Sequence, residues 1–392
     1  MTGIDRAIWL LAISQTIFWA GLYYSFPALL LHFESGLGWS KTDLTICFTA
    51  AIAASALASP LAGRLIDHGF GPYALAGAGL AGGLIMAGLS FVDTYPLFLL
   101  GWVAIGIMLS ACLYEPCFAL VTRARGAAAK RGITLITLVA GFASTLSFPL
   151  AHAMANAGGW QTAAFGFAVL VCLVGVPLAL IGGRMIEAER SDPQPSAEQS
   201  ETTVPTRGFL SRPPFWLLAF AFSLMALNHG IVVNHLLPLL DERGLEPTTA
   251  VLAASMIGPM QVSGRLAMMV LERHVTSHAI TIASFAAVSV ASMFLLGSGA
   301  IPVMLVGYVI LQGSGYGVTS IMKPVVSREI LGERNFGALT GAMAVPYLAA
   351  FAFAPYAGSL LWEIGGYGLA IWTAFSATAI GLLLYLAASR WR

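Results

Sequence analysis

The sequence predicts an all-α membrane protein of twelve transmembrane helices arranged as two pseudo-symmetric six-helix halves. Composition, the recurrence of long apolar runs and one central polar break carry that expectation. Of 392 residues, 58% are hydrophobic and only 9% are charged, too little polar surface to cover a soluble domain of this size. Apolar stretches of about 20 or more residues, enough for a helix to cross roughly 30 Å of hydrocarbon, recur from Ile8 onward. No alternating pattern of a membrane barrel is present, so helices are the expected spanning element.

Turn residues and charges bound the spans in order. The first half is read as 7–31, 43–66, 73–92, 96–122, 132–154 and 160–183, and the second as 213–240, 248–271, 278–298, 300–326, 336–361 and 366–389. Span 1 follows Arg6 and lacks a small-residue cleavage site within signal-peptide length, so it is expected to be retained. Residues 184–212, with Asp192-Pro193-Gln194-Pro195 and the polar run 198–203, cannot bury enough apolar surface to fold. They read as a linker between an N-terminal bundle, 1–183, and a C-terminal bundle, 213–392.

Charge then sets the orientation. Placing the linker and both termini in the cytoplasm puts Arg6, Arg123, Arg125, Lys130, Arg131, Arg184, Arg190, Arg207, Arg212, Arg273, Arg328, Arg334, Arg390 and Arg392 on one side. The opposite loops hold only Lys41 and Arg243 and are otherwise acidic, which is the asymmetry of the positive-inside rule. Six spans, a cytoplasmic linker and six spans form the two-repeat layout of a secondary transporter, whose site is expected near the bilayer midplane. Gly63-Arg64-Leu65 in span 2 recurs as Gly264-Arg265-Leu266 in span 8, a weak internal echo.

Polar residues inside apolar spans are the candidate functional groups. Arg265 is the foremost, because a cation in mid-membrane costs about 2.5–3.5 kcal/mol on insertion scales and therefore faces water, a carboxylate or an anionic ligand. Residues three or four apart share a helix face, which aligns Gln15, Trp19 and Tyr23 in span 1. The same rule aligns Ser110, Tyr114 and Cys117 in span 4, and Gln312, Tyr316, Ser320 and Lys323 in span 10. Glu115, beside Pro116, is either a proton carrier or a structural partner of an Arg or of backbone freed by the proline; Arg265 is one such Arg. Span 7 offers Asn228, His229, Asn234 and His235, where a histidine relays protons or marks a polar helix end. The run 313–317, rich in glycine, lies within span 10 and reads as a close-packing face rather than a phosphate loop.

Other classes lack support. The four cysteines sit in apolar runs without metal or disulfide spacing and read as buried small hydrophobes. A net charge of +1 without a basic stripe argues against nucleic acid. Neither a nucleophile nor a metal constellation stands out, so no enzyme, cofactor or metal centre is expected, nor does a soluble domain suggest a receptor.

Gly63-Arg64-Leu65-Ile66-Asp67-His68-Gly69-Phe70-Gly71, after span 2, resembles the signature cytoplasmic loop of the major facilitator superfamily, though Arg or Lys is missing after Asp67 and the loop is about one residue longer. A narrower likeness runs through Tyr23-Tyr24-Ser25-Phe26-Pro27, Gly38-Trp39-Ser40 and Tyr114-Glu115-Pro116, with Gln261 and Arg265 four apart. These are similar to the monocarboxylate transporter family and its bacterial relatives, including oxalate exchangers. Animal members carry a Lys after the Phe-Pro of span 1 and an Asp four residues before the span 8 Arg; here those positions are Ala28 and Gln261.

The resemblance implies a major facilitator fold in which spans 1, 4, 7 and 10 line the central cavity. It implies a symporter or exchanger, monomeric and in the bacterial inner membrane, that moves a small organic anion, a mono- or dicarboxylate, by alternating access. Substrate is assigned to Arg265, Gln261, Tyr114, Tyr23, Tyr316, Asn228 and Gln312, protons to Glu115 and His229, and the cytoplasmic gate to Asp67 and Gly63. The rival is an exporter of drug-like or amphiphilic compounds, which the aromatic residues suggest but which does not require a lone Arg.

Overall fold

A computed structural model describes residues 5–189, 212–332 and 336–391. Most of the expected linker, with Arg190 and Arg207, lies outside those residues, as do Arg334 and Arg392. Seven stretches are long and apolar enough to cross a membrane. Three of them are each two helices joined at a glycine with non-helical dihedrals: Gly69, the pair Gly158 and Gly159, and the pair Gly365 and Gly366. Pro247–Leu271 and Met304–Leu331 are also long enough, but their polar residues keep them out of that apolar set. The described residues thus hold twelve spanning helices.

In the first half these are α1, Arg6–Leu37; α2, Lys41–Leu65; α3, Gly71–Leu89; α4, Tyr95–Arg125; α5, 129–157; and α6, 160–188. In the second they are α7, Pro213–Glu242; α8, Pro247–Leu271; α9, Ser277–Gly297; α10, Met304–Leu331; α11, 336–364; and α12, 367–389. Helix α6 runs through Arg184 to Ala188, so the first residues assigned to the linker are helical. The chain divides into two compact units, Met1–Glu198 and Gln199–Arg392.

Local chemistry sets the helix ends. Asp5 caps α1 by accepting from the Ile8 N–H, and Gly38, at φ 71°, closes it in the left-handed conformation that glycine adopts without strain. Ser40 caps α2 through the Asp43 N–H at 3.0 Å, and Thr276 caps α9 through the Ala279 N–H at 3.2 Å. The two halves also repeat a backbone device. Gly158-Gly159 and Gly365-Gly366 break the fifth and sixth, and the eleventh and twelfth, helices with nearly the same dihedrals, φ −163° and 79° against −154° and 67°.

Each half encloses its own core while leaving large apolar side chains such as Leu57, Phe91, Leu173, Leu252, Val303 and Leu383 on the outside, as a lipid-facing surface requires. Phe26 stacks on Phe48 at 4.4 Å and meets Trp102 edge-on at 4.8 Å in the first half. Phe215, Phe222, Met225, Phe285 and Tyr385 fill the second.

Small residues let selected helices approach backbone to backbone. A side chain at Gly106 would strike the Ala51 main chain, drawing α4 onto α2. At the corresponding place in the second half, Gly264 meets the Ser314 main chain and Gly317 meets the Gln261 main chain, drawing α10 onto α8. The glycine-rich run of α10 is therefore a packing face. Gly317→Val should lower the melting temperature of the detergent-purified protein by roughly 5 °C or more, since neither backbone can yield as a flexible side chain would. Gly77→Ala, which meets nothing within 4 Å, should melt at or above wild type. Equal melting of all three proteins would refute the close-packing account.

Candidate functional site

In the first half the candidate residues gather where two helices lose regularity. Helix α1 widens into a π-helical turn at Trp19–Tyr23, the Tyr24 N–H reaching the Trp19 carbonyl at 2.8 Å. Ser147 of α5 donates to the Ala20 carbonyl within that turn at 2.8 Å. Across from it, α4 breaks at Leu113, which is extended at φ −87° and ψ −156°. Pro116 has no N–H, so the Cys112 carbonyl four residues earlier loses its helical donor. Gln15 Nε2 donates to that carbonyl at 2.8 Å, replacing the lost bond with a side chain from α1.

Aromatic rings surround these irregularities. Trp19 lies 4.9 Å from both Tyr23 and Tyr114, Tyr23 lies 5.2 Å from Tyr24, and Tyr114 stacks on Phe118 at 5.1 Å. Tyr23 and Tyr114 are thus brought together through Trp19. Glu115 is exposed and makes no hydrogen bond or ion pair with a described residue of its own half; the backbone freed by Pro116 is served by Gln15 instead.

The expected gate lies at the Arg-rich end of the same half. Gly63 sits near the end of α2, and Asp67 is exposed in the turn Ile66–Phe70 without a hydrogen bond to a described residue. The clamp there is made by Arg123 at the end of α4, which donates to the Ile66 carbonyl. The same guanidinium lies 3.6 Å from where a Cβ at Gly69 would stand, at a φ of 88° that itself favours glycine. Arg125, two residues on, grips Asp5 through two hydrogen bonds and Glu189 through two more at 2.8 Å, tying the ends of α1, α4 and α6.

In the second half, Asn228 on α7 joins four helices. Its Nδ2 donates to Ser292 Oγ at 3.0 Å and to the Ala374 carbonyl at 2.9 Å, and its Oδ1 accepts from Gln312 Nε2 at 3.2 Å. His229 Nδ1 lies 3.4 Å from the same Gln312 nitrogen, and its ring stacks on Tyr316 at 3.4 Å and 6°. The Tyr316 hydroxyl meets the Tyr347 hydroxyl at 2.9 Å, and Lys323 Nζ lies 3.6 Å above the Tyr347 ring. Asn228, His229, Gln312 and Tyr316 therefore form one connected polar group.

Gln261 and Arg265 reach α10 one residue past Tyr316. Both are buried, at 7% and 9% exposure, and Arg265 Nε donates to the Gly317 carbonyl at 3.1 Å. The close approach at Gly317 makes that bond possible. His235 is not at a polar helix end: it is buried, with Nε2 2.7 Å from the Pro355 carbonyl, in a space that Gly358 leaves open. Sequence reasoning passed over Tyr347, Ser292 and Arg123 as partners. Tyr347 and Arg123 have no polar residue three or four positions away on their own helices, and Ser292 lies on a serine-bearing face of α9 that the reading of the sequence did not use. Among the described residues no three His, Cys, Asp or Glu side chains gather as a metal centre would need.

The Arg125 guanidinium beside Asp5 holds that carboxyl below its usual value of 3.8. A depressed folded-state value stabilises the fold fully above the usual value, and the contribution is lost as pH falls through the lower, folded value. Below about pH 4, wild-type melting temperature should therefore fall more steeply than that of Asp5→Asn. The partners are partly exposed, so the difference should be small. Parallel curves would mean that the bond contributes nothing.

The sequence matches the family model described as Major Facilitator Superfamily over residues 11–301. No curated protein matches it. Among solved structures, the fold resembles a bacterial homologue of the human lysosomal transporter Spinster in an inward-facing and occupied conformation, at a TM-score of 0.67 and 14% identity over 98% of this chain and 96% of that one. An inward-facing and unoccupied structure of such a homologue gives 0.63 and 14% over 100% and 97%. At that identity the likeness is one of fold. With more than half of its length matched by the family model and its whole length by the fold, the chain belongs to the Major Facilitator Superfamily of multi-pass, non-enzymatic secondary transporters.

Proposed function

We propose that this transporter moves a small organic anion, a mono- or dicarboxylate, by alternating access, and that Arg265 holds the carboxylate. The observation that carries this reading is a buried guanidinium on a membrane-spanning helix whose Nε is committed to the Gly317 carbonyl. A planar guanidinium is the group best suited to a carboxylate, because it can present two parallel N–H donors that a Lys cannot reproduce. Gln261, one turn away, and the group of Asn228, Gln312 and Tyr316 supply further hydrogen-bonding atoms in the same half. Tyr23 and Tyr114 bound the substrate path in the other. The motifs shared with monocarboxylate transporters support this substrate class, and the charge asymmetry supports cytoplasmic termini in a bacterial inner membrane. Asp67 and Gly63 belong to the gate that Arg123 clamps.

The test is binding of formate, lactate, oxalate and succinate to purified protein. Arg265→Lys and Arg265→Gln, verified as folded by melting, should each weaken the best of these ligands about 10- to 100-fold, because a charge-assisted hydrogen-bond pair is lost. Near-native affinity in both variants would remove Arg265 from the site and favour the exporter of uncharged or amphiphilic compounds.

We assign the coupled proton to Glu115, an intramembrane carboxylate without a partner in its own half, and treat His229, packed on Gln312 and Tyr316, as the second titratable group. In proteoliposomes Glu115→Gln should abolish accumulation driven by a pH gradient while sparing exchange. Unchanged accumulation would exclude Glu115, and the same measurement on His229→Asn then decides for or against the histidine.

A further inference from the structure

We propose that the first half binds an anionic phospholipid, with one acyl chain in a groove between α2 and α3 and the phosphate on Arg184 and Arg64. The site is independent of the organic-anion reading. The groove is a cavity of about 300 Å³ with α4 as its floor, and small residues leave the space: Ala58 and Ala62 on α2, Ala74, Gly77 and Ala78 on α3, and Ala111 on α4. That volume is at the bottom of the range of roughly 300–1,000 Å³ that drug-sized ligands occupy, so a single acyl chain fits it better than a compact solute. The larger side chains that line it, Leu61, Leu65 and Tyr73, are exposed, as an opening onto hydrocarbon requires. The groove reaches the Arg-rich end of the half, because Leu65 is the last residue of α2 and Tyr73 lies in the first turn of α3.

Charge at that end identifies the occupant. Arg184 of α6 holds its guanidinium carbon 5.7 Å from the centre of the Tyr73 ring, which puts a cation at the edge of the groove. Arg64, exposed, directly precedes Leu65. Arg123 and Arg125 are spent on the Ile66 carbonyl and on Asp5 and Glu189, whereas the Arg64 and Arg184 side chains make no hydrogen bond or ion pair with a described residue. Asp67 and Glu187, each three residues further along the chain, form no ion pair with them. Two uncommitted guanidinium groups beside an apolar slot are complementary to a phosphate that carries an acyl chain, and a tyrosine suits the level where hydrocarbon meets headgroup. The second half leaves a groove of about 260 Å³ between α8 and α9 over α10, but none of its lining residues is aromatic, and the cation in the turn at its end, Arg273, directly follows Glu272. The headgroup end is thus a feature of the first groove rather than of the repeat.

The test is native mass spectrometry of the detergent-purified full chain with equimolar dioctanoyl phosphatidylglycerol, phosphatidylethanolamine and phosphatidylcholine, and separately with glycerol phosphate. Wild type should retain phosphatidylglycerol about five- to twentyfold over phosphatidylcholine, since each arginine near a headgroup contributes roughly a factor of five. Arg184→Gln should cut that preference about fivefold, and Arg184→Lys should keep most of it. Gly77→Leu fills the groove from a position where a Cβ meets nothing within 4 Å, and it should lose most bound phosphatidylglycerol while melting as wild type without lipid. Should that variant melt early, the Arg184→Gln comparison decides. Equal retention of phosphatidylglycerol and phosphatidylcholine by wild type, or an undiminished preference in Arg64→Gln/Arg184→Gln, would overturn the site. So would undiminished phosphatidylglycerol in a Gly77→Leu protein that melts as wild type. Phosphatidylethanolamine held as tightly as phosphatidylglycerol would overturn it in favour of a zwitterionic headgroup with its amine on Asp67. Glycerol phosphate held as tightly would show that the groove plays no part.

Discussion

Hydrocarbon offers the main chain no water, and that single constraint organises the rest of this molecule. A carbonyl that a proline or a π turn releases lacks its helical donor, and at two such places the fold supplies one from a neighbouring helix. Gln15 serves Cys112, whose bond Pro116 removes, and Ser147 serves Ala20 in the π turn of α1. A polar side chain inside a span is therefore often a substitute for water at a bent helix. The bends matter because they let α1 and α4 depart from straight cylinders and present side chains inward.

The second constraint is distance. Without a hydrophobic force between helices in lipid, packing relies on close contact, and glycine permits it. The approach of α4 to α2 at Gly106 and of α10 to α8 at Gly264 and Gly317 occurs in both halves, beside the shared glycine-pair breaks at 158–159 and 365–366. These are the physical trace of the internal repeat. In the second half the approach also carries chemistry, since the carbonyl of a residue too small to shield it receives Arg265.

The halves divide their polar labour unequally. Aromatic rings and unspent hydrogen-bonding atoms of α1 and α4 characterise the first, whereas a buried cation and an amide–imidazole–phenol group on α7, α8, α10 and α11 characterise the second. Charge outside the spans is used for closure instead. Arg123 and Arg125 bind the turn after α2 and the ends of α1 and α6, tasks in which Asp67 takes no described part. Positive charge thus serves clamping in the first half and the candidate site in the second.

Sequence alone determined the class, the number of spans and the membership of the family, because apolar runs, turn residues and loop charges are local signals that the bilayer reads directly. It also picked out Arg265, Gln261, Asn228, His229, Gln312 and Tyr316, since helical spacing places polar residues on shared faces. Their partners came only from tertiary structure. Tyr347 joins Tyr316 from a position with no polar neighbour on its own helix face, His235 turns inward because Gly358 leaves it room, and Arg265 binds a carbonyl that only close packing at Gly317 presents. Spacing along a helix says which side chains travel together. It is silent on which neighbouring helix they meet, because that depends on glycine contacts and helix breaks distant in sequence.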